Sequence, residues 1–230
     1  MLKYEQIAKS LVKIIKNNHL KQGDKLPSLN ELGIQFKASK TTLLKALSEL
    51  ESEGLIYQIQ GSGIYVRKLP KDDYINFSKT NHGWINELMN EQVENANASL
   101  ELITPNLDLA QKLKCTTNTK VYKVHRKKML HKKILCIETS YYNSQLVPFL
   151  NQSIIEGSIF NFLAQAYKIH VGFSDKYFYI RKLTDQETSE LDLETNSFGL
   201  IVDEIFYSTS GTIFDYSQNI FNYQNSKFYL

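Results

Sequence analysis

A short basic segment, SKTTLLKALSELESE at residues 39–53, carries residue types that can bind a polyanion. Ser39 can cap a helix by accepting a backbone N–H bond, and apolar residues then recur at helical spacing: Leu43, Ala46, Leu47 and Leu50. The opposite face is polar and basic, with Lys40, Thr41, Lys45 and Ser48. Ammonium and hydroxyl groups on one helix face suit phosphates and base edges. Taken alone, the segment is equally compatible with a solvated surface helix.

The residues before this segment predict two further helices. Apolar residues keep helical spacing from Tyr4 to about Asn18, and the turn LKQGDKLP follows. Ser28 and Glu31 then form the S-x-x-E pattern of a capping box, which starts a second helix with an apolar side of Leu29, Leu32 and Phe36. Because only two residues separate this helix from Ser39, the two helices must cross steeply, as in a helix-turn-helix.

A β-hairpin is predicted directly after the basic helix. Gly54 ends the helix, and two β-rich runs, 55–60 and 64–66, are separated by Gly61, Ser62 and Gly63. Glycines at such a tip let the backbone enter a narrow groove, although they can equally serve only to make the turn. Three helices followed by this hairpin predict a winged helix-turn-helix, which favours DNA as the partner.

Residues 4–66 resemble the DNA-binding domain of the GntR family of bacterial transcription regulators. The resemblance rests on GDKLPS, S-K-x-T-x-x-K-A-L at 39–47, L-x-x-x-G-L-I at 50–56 and the G-S-G-x-x-V wing. It implies DNA contacts by Ser39, Lys40, Thr42 and Lys45 beside Thr41, a phosphate contact by Ser28, and a wing of Gly61, Ser62 and Gly63 in the minor groove. The family commonly has arginines where this chain has Asn30 and Leu44. Since arginine is the usual partner of guanine, the resemblance implies DNA binding without the family's usual operator.

Composition agrees with a two-domain protein whose first part binds DNA. The chain has 230 residues, 42% of them hydrophobic, which is enough for two modest cores. Residues 1–70 contain 11 Lys and Arg against 6 Asp and Glu, whereas residues 71–230 contain 16 against 18. Two cysteines and five scattered histidines give no disulfide framework and no metal-ligand spacing. With neither a signal peptide nor a membrane span in the sequence, we expect a cytoplasmic protein.

The remainder of the chain predicts an α+β domain built on an antiparallel sheet. After a polar segment at 68–82, which we interpret as a linker, strands are expected at 99–103, 120–128, 134–142, 177–183, 199–208 and 212–221. Helices are expected at 107–113, from Ser158 to about Ala166, and at 185–191. The Tyr and Phe residues concentrated late in the chain, for example in the run KYFYI at 176–180, are assigned to a sheet core or a dimer interface, with some lining a pocket. The predicted domains are therefore 1–67 and 83–230.

This second part resembles the UTRA effector domain of the HutC subfamily, which has a chorismate-lyase-like fold. The resemblance rests on VYKVHRKK at 121–128, IETSYY at 137–142, GSIF at 157–160 and FDY at 214–216. It implies an effector pocket lined by Arg126, Lys128, Glu138, Ser158 and Asp215. Arg126 and Lys128, two apart on one strand, share a face and form a double cation suited to phosphate or carboxylate. Lysines 127, 128, 132 and 133 are also compatible with a solvated hairpin.

We therefore predict a homodimeric, effector-responsive transcription regulator, a repressor rather than an activator, that binds a palindromic double-stranded operator. A dimer is expected because one recognition helix covers only a half-site. The predicted effector is a small anionic metabolite such as a sugar phosphate, and no cofactor or metal is expected. Two alternatives are a lyase-like enzyme carrying a DNA-binding domain and a regulator with a metal-containing, all-helical sensor.

Overall fold

The computed structural model describes residues 3–68, 74–76 and 93–229, which belong to two compact units. One unit contains residues 3–68 and the other residues 93–229. The predicted linker at 68–82 lies outside the described residues except for 68 and 74–76, and the predicted domain start at residue 83 lies outside them as well.

The first unit consists of three helices and a hairpin, in the predicted order. Its elements are α1 (Lys3–Asn17), α2 (Leu29–Phe36), α3 (Lys40–Ser52), β1 (Ile56–Ile59) and β2 (Gly63–Val66). Leu43, Ala46, Leu47 and Leu50 of α3 are all buried, as their spacing predicts, and they share one core with Leu11 of α1. The two strands pair antiparallel, with Ile56 opposite Val66. The unit is therefore a winged helix-turn-helix.

Local capping fixes where the helices of the first unit begin and end. Both bonds of the predicted capping box between Ser28 and Glu31 are present, and Ser39 caps α3. Gly54 follows α3 with a φ of 67°, and its N–H donates to the Glu51 carbonyl at 2.9 Å. Since a left-handed residue after a helix favours glycine, this position sets the direction of the chain into the hairpin.

The second unit is built on a six-stranded antiparallel sheet. A two-residue strand, β3 (Ile75–Asn76), precedes this unit in the chain. The elements of the second unit are β4 (Glu94–Ile103), α4 (Leu107–Lys112), β5 (Val121–Leu130), β6 (Lys133–Asn143), α5 (Gln152–Glu156), α6 (Ile159–Ala166), β7 (Val171–Lys182), α7 (Asp185–Leu191), β8 (Phe198–Ser208), β9 (Ile213–Phe221) and β10 (Phe228–Tyr229). The strand order in the sheet is β4-β5-β6-β9-β8-β7.

Helices cover both faces of this sheet. On one face α5 and α6 contribute Ile155, Ile159 and Leu163 to a core that also contains Tyr142 and Phe206. On the other face α7 contributes Leu191 and α4 contributes Leu109 to two smaller clusters. An α+β sensor of this kind excludes the all-helical alternative.

Three details of the second unit differ from the sequence-based expectation. β4 begins at Glu94 instead of residue 99, and β7 begins at Val171 instead of residue 177. A separate helix, α5, precedes α6. The early residues of β4 (ENANA) are polar or alanine and have low strand propensity, and in β7 Val171 and Phe173 are separated by Gly172 and followed by the polar Ser174 and Asp175. Pairing with neighbouring strands therefore determines the conformation of both segments. The sheet-core assignment of the KYFYI run is also wrong, because its members Tyr177, Phe178, Tyr179 and Ile180 are 39–71% exposed.

Candidate functional site

The predicted DNA-binding residues of α3 form one polar surface at its amino-terminal end. Lys40, Thr41 and Lys45 are exposed. Thr41 and Lys45 lie on the side away from the buried leucines, and Lys40 is the first residue of the helix. The Ser39 side chain accepts a hydrogen bond from the Thr42 N–H at 3.3 Å, and the two hydroxyl oxygens lie 2.8 Å apart. No acidic residue occupies the first turn of α3. The helix dipole therefore adds to the lysine charge in favouring an anion here.

Lys45 is positioned by the first helix. Its Nζ atom lies 4.2 Å from the centroid of the Tyr4 ring, which is a favourable cation–π distance. The ring restricts the long side chain without neutralising its charge. Lys45 therefore presents an ammonium group at a defined place beside the polar surface of α3.

Ser28, the predicted phosphate contact, is engaged in its capping box. Its backbone N–H and its hydroxyl each donate to the Glu31 carboxylate at 2.7 Å. These hydrogen bonds lower the pKa of Glu31, and the bond from the Ser28 hydroxyl has the larger effect. A phosphate at Ser28 would lie close to a carboxylate, so the structure favours this contact less than those on α3.

The hairpin tip has the geometry of a narrow wing. Gly61 and Gly63 have φ values of 76° and 147°, and the Ser62 hydroxyl lies 2.6 Å from that of Tyr65. A Cβ atom at Gly63 would lie 2.5 Å from Cε of Lys25. The positive φ of Gly63 is the reason for a glycine here, because the end of the Lys25 side chain could move aside. The approach also places Lys25, which sequence reasoning missed, beside the tip.

All five residues predicted to bind an effector line one cavity in the second unit. The cavity has a volume of about 550 Å³ and lies on the sheet face that carries α5 and α6. Arg126 and Lys128 come from β5, Glu138 from β6 and Asp215 from β9, while Ser158 is the N-cap of α6. The structure therefore brings together residues that are up to 89 positions apart in the chain.

Two cations and one carboxylate are buried at the centre of the cavity wall. Arg126 stands directly opposite Glu138 in the pairing of β5 and β6, and it donates from Nε to the Glu138 carboxylate at 2.7 Å and also contacts it through Nη2. The Lys128 Nζ atom lies 3.3 Å from the same carboxylate. With all three groups ionised, this ion triad of Arg126, Glu138 and Lys128 carries one net positive charge. The alternative of a solvated lysine is wrong for Lys128, which is 4% exposed.

The pKa values of Lys128 and Glu138 are both lowered, for different reasons. Burial lowers the pKa of Lys128 to about 8, assisted by the charge of Arg126 and opposed by Glu138. Burial would raise the pKa of Glu138, but Arg126 and Lys128 outweigh it and the pKa is lowered. The carboxylate therefore remains ionised, and Lys128 is the group of the triad that most readily changes its charge.

Asn95, which sequence reasoning missed, joins the triad to the start of α6. Its side-chain oxygen accepts from Lys128 Nζ at 2.8 Å. Its amide nitrogen donates to the carbonyls of Glu156 and Gly157, both at 3.0 Å. Arg126 Nη1 donates to the Ile155 carbonyl at 3.1 Å as well. The corner between α5 and α6 is thus attached to both cations of the cavity wall.

The inner wall of the cavity is rich in hydrogen-bond acceptors. Asp215, Ser217 and Asn219 alternate along β9 and face the cavity, and Glu204 of β8 lies beside them. The Asn219 side-chain oxygen is buried and has no hydrogen-bond partner among the described residues. Burial, together with the charge of Glu138, raises the pKa of Asp215 well above its usual value. These groups can accept hydrogen bonds from donor groups of a ligand.

Local patterns account for some of the residues that were missed. Period-2 alternation of Asp215, Ser217 and Asn219, in a strand whose other residues except Gln218 are apolar, is a visible signal of a polar face. Glu204 and Asn95 have other polar residues beside them in the sequence, and only the register across the sheet places them at the cavity.

The described ranges contain no metal cluster and no membrane-spanning helix. No three His, Cys, Asp or Glu side chains of residues 3–68, 74–76 and 93–229 are grouped so that they could hold a metal ion. Within the same part of the chain, every helix is too short or too polar to cross a membrane.

Comparison with known proteins agrees with both halves of this description. The family model "Bacterial regulatory proteins, gntR family" matches residues 3–66, and the UTRA domain model matches residues 89–225. The uncharacterized HTH-type transcriptional regulator YydK of Bacillus subtilis is 37% identical over 228 residues, covering 99% of this chain and 96% of its own. The mannosyl-D-glycerate transport/metabolism system repressor MngR of Escherichia coli is 28% identical, covering 99% and 94%.

A solved structure has the same fold over the whole chain. The crystal structure of YydK aligns with a TM-score of 0.84 at 36% identity, covering 100% of this chain and 99% of the other. A winged helix-turn-helix followed by a UTRA domain defines a DNA-binding transcription regulator whose second domain binds a small-molecule effector. The chain belongs to the GntR family and has the HutC-type architecture. It is a regulator and not a lyase-like enzyme.

We predict that Glu204 makes the stability of the second unit fall as pH rises. Burial raises its pKa from 4.5 to about 7, although Lys176 opposes the shift. A raised carboxyl pKa stabilises the fold fully below pH 4.5, and this contribution is lost as pH increases to 7. The loss corresponds to about 3 kcal/mol of unfolding free energy, and Glu204→Gln should remove it in urea unfolding followed from pH 5 to pH 8.

Glu187→Gln provides a control, because the contribution of Glu187 to stability changes with pH in the opposite direction. Hydrogen bonds from Arg181 lower the pKa of Glu187 to about 2, so its stabilising contribution is present above pH 4.5 and is lost as pH decreases towards 2. A wild type and a Glu204→Gln variant with parallel pH profiles between pH 5 and pH 8 would contradict the assignment to Glu204.

Proposed function

We propose that this regulator is a homodimeric repressor that binds a palindromic operator and responds to a small anionic metabolite. The main support for an effector site is that one cavity is lined by Arg126, Lys128, Glu138, Ser158 and Asp215. The basic surface of α3 supports the DNA part. Two relatives, MngR and the transcriptional repressor NagR of Bacillus subtilis, are repressors by name, which supports the proposed sign of regulation.

The ion triad supports an anionic effector group. Glu138 neutralises only one of the two cations, so a single positive charge remains in a buried, weakly screened place. Glu94 and Glu156 also line the cavity, but both are exposed and water screens their charges. A phosphate or carboxylate would bind at Arg126 and Lys128, beside the amino-terminal end of α6 at Ser158.

The inner wall supports a ligand that also carries hydroxyl groups. Asn219 offers an oxygen that has no hydrogen-bond partner among the described residues, and a hydroxyl of a polyol would satisfy it, since a buried acceptor left without a donor is destabilising. Asp215 and Glu204 already accept from Ser217 and Ser174, and a ligand hydroxyl would add to these hydrogen bonds. A sugar phosphate combines both properties. MngR is named for the mannosyl-D-glycerate system, whose substrate joins a sugar to a carboxylate.

A second copy of the chain is proposed to cover the β7 edge of the sheet. No strand of the described ranges pairs with the outer side of β7, and its apolar side chains are exposed. Phe173, Tyr177 and Ile180 are 49%, 56% and 71% exposed. A long apolar edge strand favours pairing with another chain, and two-fold DNA recognition needs two copies. The effector would then act through unequal affinity for two arrangements of the dimer.

We expect Lys40→Ala to weaken DNA binding. The probe is a duplex enriched by the protein from a random-sequence pool, and binding is followed by fluorescence anisotropy between 50 and 200 mM salt, the range in which phosphate contacts show their salt dependence. Loss of one phosphate contact should lower affinity and reduce the salt slope by about 1. Lys132→Ala, which removes an exposed lysine of the second unit, is the matched control. Equal affinity and slope for Lys40→Ala and the wild type would reject this contact.

We expect one or more sugar phosphates to raise the melting temperature of the protein. The panel pairs each hexose phosphate with its unphosphorylated sugar and includes inorganic phosphate alone; a ligand at 100 times its Kd stabilises the fold by about 2.7 kcal/mol. Lys128→Met should weaken binding about tenfold or more, because it removes a buried charge that bonds the anion. Lys127→Met, on the next residue of β5 and the opposite sheet face, should bind as the wild type does. Equal binding of sugars with and without phosphate would contradict an anionic effector.

We expect the wild-type protein to sediment as a dimer. A double variant, Tyr177→Lys with Ile180→Lys, should sediment as a monomer. Two ammonium groups on an edge strand would be desolvated and would repel each other across a two-fold contact. Ile34→Lys, at an 80% exposed position of the first unit, is the control and should remain a dimer. A wild-type monomer, or a dimeric double variant with wild-type affinity, would exclude β7 as the interface.

A further inference from the structure

One exposed leucine interrupts the polar surface of the recognition helix. Leu44 is 43% exposed, whereas Leu43, Leu47 and Leu50 of the same helix are at most 1% exposed. At 100° per residue, Leu44 falls on the outer half of α3, between the positions of Lys40 and Thr41. This side chain therefore contributes little to the core that holds the helix, and it projects from the surface assigned to DNA.

The position of Leu44 corresponds to the part of a recognition helix that meets base edges. It is the fifth residue of α3, one turn from the amino-terminal end. In helix-turn-helix complexes this end of the second helix lies in the major groove and contacts the bases, while flanking polar groups contact the backbone. Lys40, Thr41 and Lys45 supply such polar groups on either side of Leu44.

The chemistry of a leucine side chain limits what it can recognise. It neither donates nor accepts hydrogen bonds, so it cannot distinguish the polar edges of guanine, cytosine or adenine by bonding to them. The apolar group that the major groove presents is the 5-methyl of thymine. A polar base edge placed against Leu44 would instead lose its hydrogen bonds to water without replacement.

We infer that Leu44 contacts the 5-methyl group of a thymine in each operator half-site and thereby selects an A·T pair at that step. This inference rests on the proposed binding of a palindromic operator and adds a specificity determinant to it. Because the operator contains two half-sites, the same contact occurs twice in a complex of two chains with one duplex.

The test replaces thymine by uracil, which removes only the methyl group. A duplex is first enriched from a random-sequence pool with the full-length protein, and each dT of a half-site is then replaced in turn by dU. Burying one methyl group contributes about 0.8 kcal/mol, which is about fourfold in affinity, or about fifteenfold when both half-sites are substituted. We expect one dT position to show this loss with the wild type and no loss with Leu44→Ala.

Two further variants make the result specific. Ile34→Ala removes a more exposed apolar side chain from α2 and should retain the wild-type preference for dT over dU. Leu44→Ala should keep the urea midpoint of the wild type, in contrast to Leu47→Ala at a fully buried position, so altered binding would not reflect unfolding.

Two outcomes would overturn the inference. If a duplex is enriched but no dT position is sensitive to dU, or the sensitivity persists in Leu44→Ala, Leu44 does not contact a thymine methyl, although operator binding stands. If no duplex is enriched even at low salt, operator binding itself fails and the inference fails with it.

Discussion

Burial of Arg126 and Lys128 around the single carboxylate of Glu138 is the constraint on which the sensor cavity depends. Removing such ions from water costs several kcal/mol each, and this is offset only when geometry and additional hydrogen bonds are good. Here β5 and β6 place the charged groups in register, and backbone carbonyls at the end of α5 accept from Arg126. The second cation has no carboxylate of its own. The cavity wall thus keeps one positive charge that Glu138 does not neutralise, and the proposed anionic effector depends on this charge.

In the first unit, the single helix α3 contributes both to the core and to the exposed polar surface. Four apolar side chains of α3 hold it against α1, which leaves the opposite half of a thirteen-residue helix for recognition. Capping by Ser39 and Gly54 fixes the two ends without acidic groups in the first turn. Because the core contacts of α3 lie on its buried half, a substitution on the outer half changes little of this packing. Leu44 is an example, since the related family pattern has arginine at this position.

Features set by local chemistry were predictable from the sequence, and features set by long-range pairing were not. Ser28 and Ser39 indicate where two helices begin, and the spacing of Leu43, Leu47 and Leu50 predicts a buried helix face. The five cavity residues followed from motif resemblance, and Arg126 and Lys128 also from alternation. In contrast, Glu204 and Asn95 reach the cavity only through strand register, and the polar start of β4 has no intrinsic strand signal. The KYFYI run shows the converse, because strong strand propensity did not reveal that β7 is an edge.

The two edges of the sensor sheet are unlike each other, and this has a consequence for assembly. At β4 the pairing with β5 is interrupted between Ala96 and Ser99, where Asn97 has a φ of 49°, and the exposed residues there are polar. A bulged edge with polar exposed residues resists strand addition, whereas the long apolar edge of β7 favours it. If a second copy pairs with β7, as proposed, both β7 edges are covered and only the β4 edges remain. The proposed assembly would then stop at two chains instead of growing into a filament along the sheet.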